Sequence, residues 1–342
     1  MADVDAITPF VGATPDFAEA VDDLAGWQNN RRAALLDLIG RPPFASPMAL
    51  DVELIERHDD GDLWREKIRY GGPADDVVWA WLIRPKKLAV PAPAVICLPG
   101  SFMTPNWGKD APAGLAGPLV PGDPEAYGVD LARAGFVTLC PDYPCCGERT
   151  AAGLKSHDTT ELDQRFPTWT RVGLSAWDVS RAVDVLLGRD EADVNRIGVC
   201  GWSQGGQMAI IGAALDERIR AIVSVCGWGP LRGIGGARAH NWAQSYNFPR
   251  LSPCLNGAQP LSIDFDEIVA CLTPRPFLDV RAEADETFPN RELATAALNG
   301  LQQLWQGVDA AAAFALTGAA GGHAHGHVAA AAQLQWLQRW LA

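Results

Sequence analysis

Apolar positions along the chain follow two rhythms. Near the start, "FAEAVDDLAGWQNNRRAALLDLIG" (residues 17–40) spaces them three and four apart, the period of one helix face. "RPPFASP" then stops the helix, because proline lacks an amide donor and restricts the residue before it. "DVELIERHDDGDLWREKIRYG" and "DVVWAWLIRP" predict strands turning around Asp60, Gly61 and Gly72, an antiparallel entry to a larger sheet.

After Pro91 the rhythm changes. Short apolar runs ("PAVICLPG", "FVTLCPDYP", "RIGVCG", "IRAIVSVCG") alternate with helix-length segments ("AYGVDLARAG", "GLSAWDVSRAVDVLLGR", "SQGGQMAIIGAALD"). Strand and helix in alternation predict a mostly parallel sheet with helices on both faces. An excursion over residues 229–264, including "NWAQSYNFPRLSP", is expected to cap or wall a pocket. "IDFDEIVACL" reads as a helix, "RPFLDVRAEAD" as a strand and its loop, and "NRELATAALNGLQQLW" as a helix. "AAAFALTG" follows as a strand and "AAAAQLQWLQRWLA" as the closing helix. The division expected is an N-terminal helical extension over 1–50 and a catalytic domain over 51–342.

Composition narrows the classes. With 48% hydrophobic and 20% charged residues over 342 positions, the chain is globular rather than disordered. Its 28 basic against 41 acidic residues leave a net charge of -13, which disfavours a nucleic-acid partner. The opening residues carry neither a basic region nor an apolar run, and no stretch reaches membrane-spanning length, so a cytoplasmic protein without a membrane partner is expected. The eight cysteines (97, 140, 145, 146, 200, 226, 254, 271) form no C-x-x-C pair, and several end apolar runs, where cysteine behaves as a small buried hydrophobe. Cys145 and Cys146 fall in a loop, which leaves a redox role open there.

Candidate chemistry centres on "RIGVCGWSQGGQMAI", where Ser203 lies between Gly201 and Gly205. A G-x-S-x-G run between a strand-like and a helix-like stretch predicts a sharp turn that lifts the serine oxygen above the sheet at a helix N-terminus. The plain alternative is a glycine-rich turn or an N-cap serine. A serine nucleophile needs a base and an orienting acid. Downstream, Asp279, Glu283 and Asp285 follow one strand, and His323, His325 and His327 follow the last. The order Ser, acid, His suits this architecture. Asp285 is preferred because it falls in the loop beyond the strand, and His323 because it follows the Gly-rich turn; His325 is the rival base. An H-x-H-x-H metal site is the other reading of the histidine run. His58, His157 and His240 read as surface or pocket residues. For the oxygen that becomes negative, the backbone amides of Gln204 and Ser101 are the candidate donors, with Phe102 next to Ser101.

Taken together, "GKDAPAGLAG", "DLARAGFVTLCPDYPCCGER", "RIGVCGWSQGG", "LSIDFDEIVACLTPRPFLDVRAEADETFP", "GGH" before the last helix and "WQNNRRAALLDLIGRPP" resemble the α/β-hydrolase superfamily. The likeness is to its dienelactone-hydrolase-like or acetyl-xylan-esterase-like serine branch, over about 300 residues. The resemblance implies an α/β-hydrolase fold, nucleophile Ser203, acid Asp285, base His323 and an oxyanion hole from Ser101 and Gln204. Many relatives carry His-Gly where this chain has Pro99-Gly100, and Cys200 lies outside the nucleophile position. Asp142, Glu148 and Arg149 also match; they read as a loop-holding network, or Arg149 as a contact for an acidic substrate. Trp107, Trp202, Trp228 and Trp242 are candidates for an aromatic pocket or for core packing.

The function expected is hydrolysis of a small-molecule carboxylic ester through an acyl-enzyme, with no metal or organic cofactor. Lactone or thioester hydrolysis is the nearest alternative, and a noncatalytic ligand-binding or scaffold protein of the same fold is the alternative from another class. Residues 229–264 are read either as narrowing the pocket or as contributing to a subunit contact, which leaves a homo-oligomer open.

Overall fold

The computed structural model describes residues 4–342 except 45–48, 74–75, 89–90, 102–107, 118–123 and 289. In chain order, α1 (Ala18–Asp22) and α2 (Leu24–Ile39) precede β1 (Glu53–Asp60), β2 (Leu63–Gly71), β3 (Val77–Pro85) and β4 (Ala92–Leu98). Then come α3 (Tyr127–Arg133), β5 (Val137–Pro141), α4 (Thr160–Arg165), α5 (Arg171–Leu187), β6 (Ala192–Trp202), α6 (Gln204–Leu215) and β7 (Ala221–Val225). The rest is α7 (Gly236–Trp242), α8 (Phe265–Ala270), β8 (Phe277–Ala282), α9 (Arg291–Gly307), β9 (Phe314–Ala319) and α10 (His327–Leu341). The single N-terminal helix that the spacing predicted is two. Asp23 breaks it and caps α2, its carboxylate accepting from the Gly26 amide at 3.0 Å.

The described strands form one nine-stranded sheet in the order β1-β2-β3-β5-β4-β6-β7-β8-β9. Neighbours from β1 to β5 run antiparallel and those from β5 to β9 parallel. This is an α/β-hydrolase fold with an antiparallel entry.

Alternation along each strand fills two cores. In β4, Ala94, Ile96 and Leu98 face the layer of α2, α5, α6, α8 and α9, whereas Val95 and Cys97 face α3 and α10. Phe10, Phe17, Leu35, Leu38 and Ile39 from the N-terminal segment are buried in the first core. Because β4, β6 and β7 are covered on both faces, their free end is the C-terminal edge, where loops carry side chains into a cleft.

Between β7 and α8 the 229–264 segment runs through α7 and a turn of helix at Pro249–Gly257. A buried ion cluster fastens its two ends. The Asp264 carboxylate accepts from the Leu231 amide (2.7 Å), the Arg232 amide (3.1 Å) and Arg232 Nη1 (2.9 Å), and Asp266 accepts from Arg232 Nη2 (2.7 Å). Asp264 also caps α8 in a capping box with Glu267.

Candidate active site

Ser203 joins β6 to α6 with φ 55° and ψ -121°, a left-handed conformation that a side-chain-bearing residue adopts at a cost of roughly 1–3 kcal/mol. The flanking glycines make the turn sterically possible. A Cβ on Gly205 would come within 2.0 Å of the Leu98 carbonyl, and one on Gly201 within 2.4 Å of the Gly205 backbone. The Ser203 amide donates to the Val225 carbonyl at 2.8 Å, which ties the turn to the end of β7.

Two loops from distant parts of the chain meet this serine. Ser203 Oγ lies 2.8 Å from His323 Nε2, and His323 Nδ1 lies 2.9 Å from Asp285 Oδ2. The other Asp285 oxygen accepts from the Thr287 amide at 2.8 Å. Burial pushes the Asp285 carboxyl up, but the His323 hydrogen bond and charge and the backbone donors outweigh it and hold the group below its usual value. An ionised carboxylate only accepts, so Nδ1 carries the ring proton. In the neutral ring Nε2 then accepts from the serine hydroxyl.

The rivals named from the sequence lie elsewhere. Asp279, inside β8, is buried; it accepts from Trp228 Nε1 at 3.1 Å and pairs with Arg281. His325 is fully buried, stacked on Tyr127 with ring centroids 4.9 Å apart, and His327 is exposed at the start of α10. The alternation of the three histidines thus sends successive rings to cleft, core and solvent rather than to one metal. Glu283 lines a separate small cavity behind Asp285. Cys145 and Cys146 are buried rather than loop-exposed, and burial pushes the Cys145 thiol up to about 11. Arg149 is enclosed, its guanidinium held by Asp76 and Asp178, each at 2.5 Å, which is the loop-holding network rather than a substrate contact.

Ser203 opens into a cleft of about 430 Å³ that also takes in Ser101, Gln204, Gln207 and Thr287. Gln204 is the first residue of α6, so its amide stands at the positive end of the helix beside the serine. The 229–264 segment supplies much of the wall through Arg238, Asn241, Trp242, Tyr246 and Asn247. Of the tryptophans singled out above, Trp242 lines the cleft and Trp202 and Trp228 are buried. Trp107 and Phe102 lie outside the described residues.

Two participants carry no sequence signal. The Tyr246 hydroxyl donates to Gln204 Oε1 at 2.9 Å, and its ring stacks on His157 at 4.1 Å. Beneath it, Arg171 is fully buried with its guanidinium 4.4 Å from the Tyr246 ring centre, donating to Gln204 Oε1 (3.3 Å) and the Pro144 carbonyl (3.2 Å). Its Nη2 also donates to Cys146 Sγ at 3.6 Å and its Nη1 has no hydrogen bond; among the described residues no carboxylate is in salt-bridge contact with Arg171, although Asp178 lies near enough to feel its charge. The aromatic run "NWAQSYNFPRLSP" pointed to a wall, but nothing local marks Tyr246 or Arg171 within their runs.

Comparison with known proteins adds family and fold. The family model described as Abhydrolase family matches residues 2–298. A protein of Bacillus subtilis (strain 168) named "Putative hydrolase YtaP" is 25% identical over 316 residues, spanning 91% of this chain and 99% of its own. Two solved structures share the fold. A glucuronoyl esterase from Solibacter usitatus superposes with TM-score 0.68 at 17% identity, covering 97% of each chain. Acetyl xylan esterase 1 from Thermoanaerobacterium sp. JW/SL YS485 superposes with TM-score 0.58 at 18% identity, covering 96% of each.

Proposed function

The chain belongs to the Abhydrolase family, and from that premise we propose that it is a serine hydrolase cleaving carboxylic esters through an acyl-enzyme. The observation that carries this reading is the unbroken series of bonds from Ser203 through His323 to Asp285, ending at a strained serine that opens into the cleft.

In this mechanism the ester carbonyl docks over Ser203. His323 Nε2 takes the hydroxyl proton as Oγ attacks, and Asp285 holds the ring's orientation and stabilises its cationic form. The charge on the tetrahedral oxygen is met by the amides of Gln204 and Ser101, each donor of this kind contributing about 3–4 kcal/mol. The leaving alcohol receives the proton from Nε2. Water then repeats the sequence on the acyl-serine and releases the acid. Thioester and lactone carbonyls suit the same steps, and the ester reading is preferred because the esterases that share the fold act, by their names, on esters of sugars. A cleft that combines Gln207, Asn241 and Asn247 with Trp242 suits a hydroxylated acyl or alcohol group. Eight free cysteines support action in a reducing compartment, the cytoplasm; no helix among the described residues is long and apolar enough to cross a membrane.

A fluorophosphonate probe tests the reading directly. Covalent labelling of the protein, abolished in Ser203→Ala and accompanied by turnover of acetyl or sugar esters, is the expected result. Labelling that persists in Ser203→Ala, or a panel of esters that is never hydrolysed, would sink it.

A further inference from the structure

Asp285 also lines a second, smaller cavity of about 190 Å³, together with Cys226 and Glu283 among others. Cys226 follows the last residue of β7 and takes the left-handed conformation (φ 48°), an uncommon one for a side-chain-bearing residue, that holds its sulfur near the catalytic loop. Its Sγ, a carboxylate oxygen of Asp285 and a ring nitrogen of His323 all lie within 4.8 Å of one another. No step proposed above uses the thiol.

We propose that Cys226, Asp285 and His323 form an inhibitory site for a borderline-soft divalent cation such as Zn²⁺. One sulfur, one oxygen and one nitrogen ligand make a donor set that suits zinc. Bond lengths of about 2.0–2.3 Å put tetrahedral ligands roughly 3.3–3.8 Å apart, so shifts of about an ångström close the site. The ion enters through the smaller cavity, whose charged lining is Glu283 and Asp285 with Arg291 and with Arg281, the last paired with Asp279. It displaces the proton on His323 Nδ1 and the Cys226 thiol proton, both released to solvent, and water completes the coordination. There is no change of oxidation state. The carboxylate that oriented the ring then serves the metal, and a ring held at Nδ1 in that new geometry no longer presents Nε2 to Ser203.

The inhibitory consequence rests on the esterase reading, whereas the binding does not, so two readouts separate them. The full-length protein, reduced and freed of metal, is titrated with Co²⁺ as a spectroscopic substitute for zinc. A thiolate-to-cobalt absorption band is expected in the parent and in Ser203→Ala, and its loss in Cys226→Ala and His323→Ala. On the activity side, Zn²⁺ inhibits the parent reversibly with respect to a chelator, and Cys226→Ala raises the inhibitory concentration by about tenfold or more. Should Cys226→Ala fold poorly, Cys226→Ser serves, since it retains the volume and weakens the ligand. Absence of a thiolate band, a band that survives Cys226→Ala or Cys226→Ser, or zinc sensitivity equal in parent and variant overturns the proposal. If no ester is hydrolysed, the cobalt titration alone decides.

Discussion

Two buried arginines touch the segment that walls the cleft, and their surroundings are opposite. At the base of that segment Arg232 is met by two aspartates, so its charge is neutralised where it stands. Below Tyr246, Arg171 has two tyrosine rings, the Pro144 carbonyl, the Cys146 sulfur and one amide oxygen, with no carboxylate in salt-bridge contact among the described residues. A neutralised buried pair closes a loop, and breaking it strands a charge in low dielectric. A buried cation with no carboxylate in contact instead keeps more of its field for whatever develops negative charge nearby, which in the proposed mechanism is the carbonyl oxygen beside the Gln204 amide. The contrast predicts that Arg232 holds the cleft together and that Arg171 acts within it.

The sharpest break in that comparison is at the serine. Ser203→Ala should lower kcat/KM by at least about 10⁴-fold in a steady-state ester assay while leaving the melting temperature unchanged or higher, since the strained turn loses only a hydroxyl. The clamp should respond in the opposite sense. Asp264→Ala removes the helix cap and half the neutralisation of Arg232, and an unfolding loss of about 3–5 kcal/mol is expected by denaturant titration. Arg171→Met decides between the two roles: kcat/KM falls about tenfold, roughly 1.4 kcal/mol of transition-state stabilisation, while stability stays within about 1 kcal/mol or rises. A large loss of stability in Arg171→Met would put it with Arg232 as a fold element.

The smallest effect concerns pH. Asp285 has a lowered value in the folded protein, so its contribution to stability is full above its unfolded value near 3.9 and is lost as pH falls through the lower folded value. The stability difference between the parent and Asp285→Asn should therefore be constant above about pH 5 and close as pH drops below about 4, measured by thermal unfolding across that range.

Much of the fold was legible because period carries it. Runs such as "AVICL" and "RIGVC" read as doubly buried strands, and β1 to β3 as an antiparallel entry, since alternation and turn residues are local properties. The N-terminal helix was read too long because its apolar spacing continues across Asp23, where one side-chain bond to the Gly26 amide decides the break. The three positions preferred from the sequence, 203, 285 and 323, are the ones that meet within hydrogen-bond distance, because order on the fold sends each to the same edge of the sheet. His325, two residues away, is the rival base because the Gly-rich turn favours His323 without fixing where the second ring goes. Its burial against Tyr127 depends on α3, nearly 200 residues earlier.

By itself the amino-acid order determined the alternation of strand and helix, the glycine-flanked turn at Ser203 and the sequence of reactive types along the chain, since each is set by neighbours within one or two turns of backbone. Only the tertiary structure decided that Tyr246 and Arg171 stand behind Gln204, that Arg149 is enclosed by aspartates, and that Cys226 shares a small cavity with Asp285. These are meetings between segments far apart in sequence, where charge neutralisation and packing volume, rather than local propensity, select the partner.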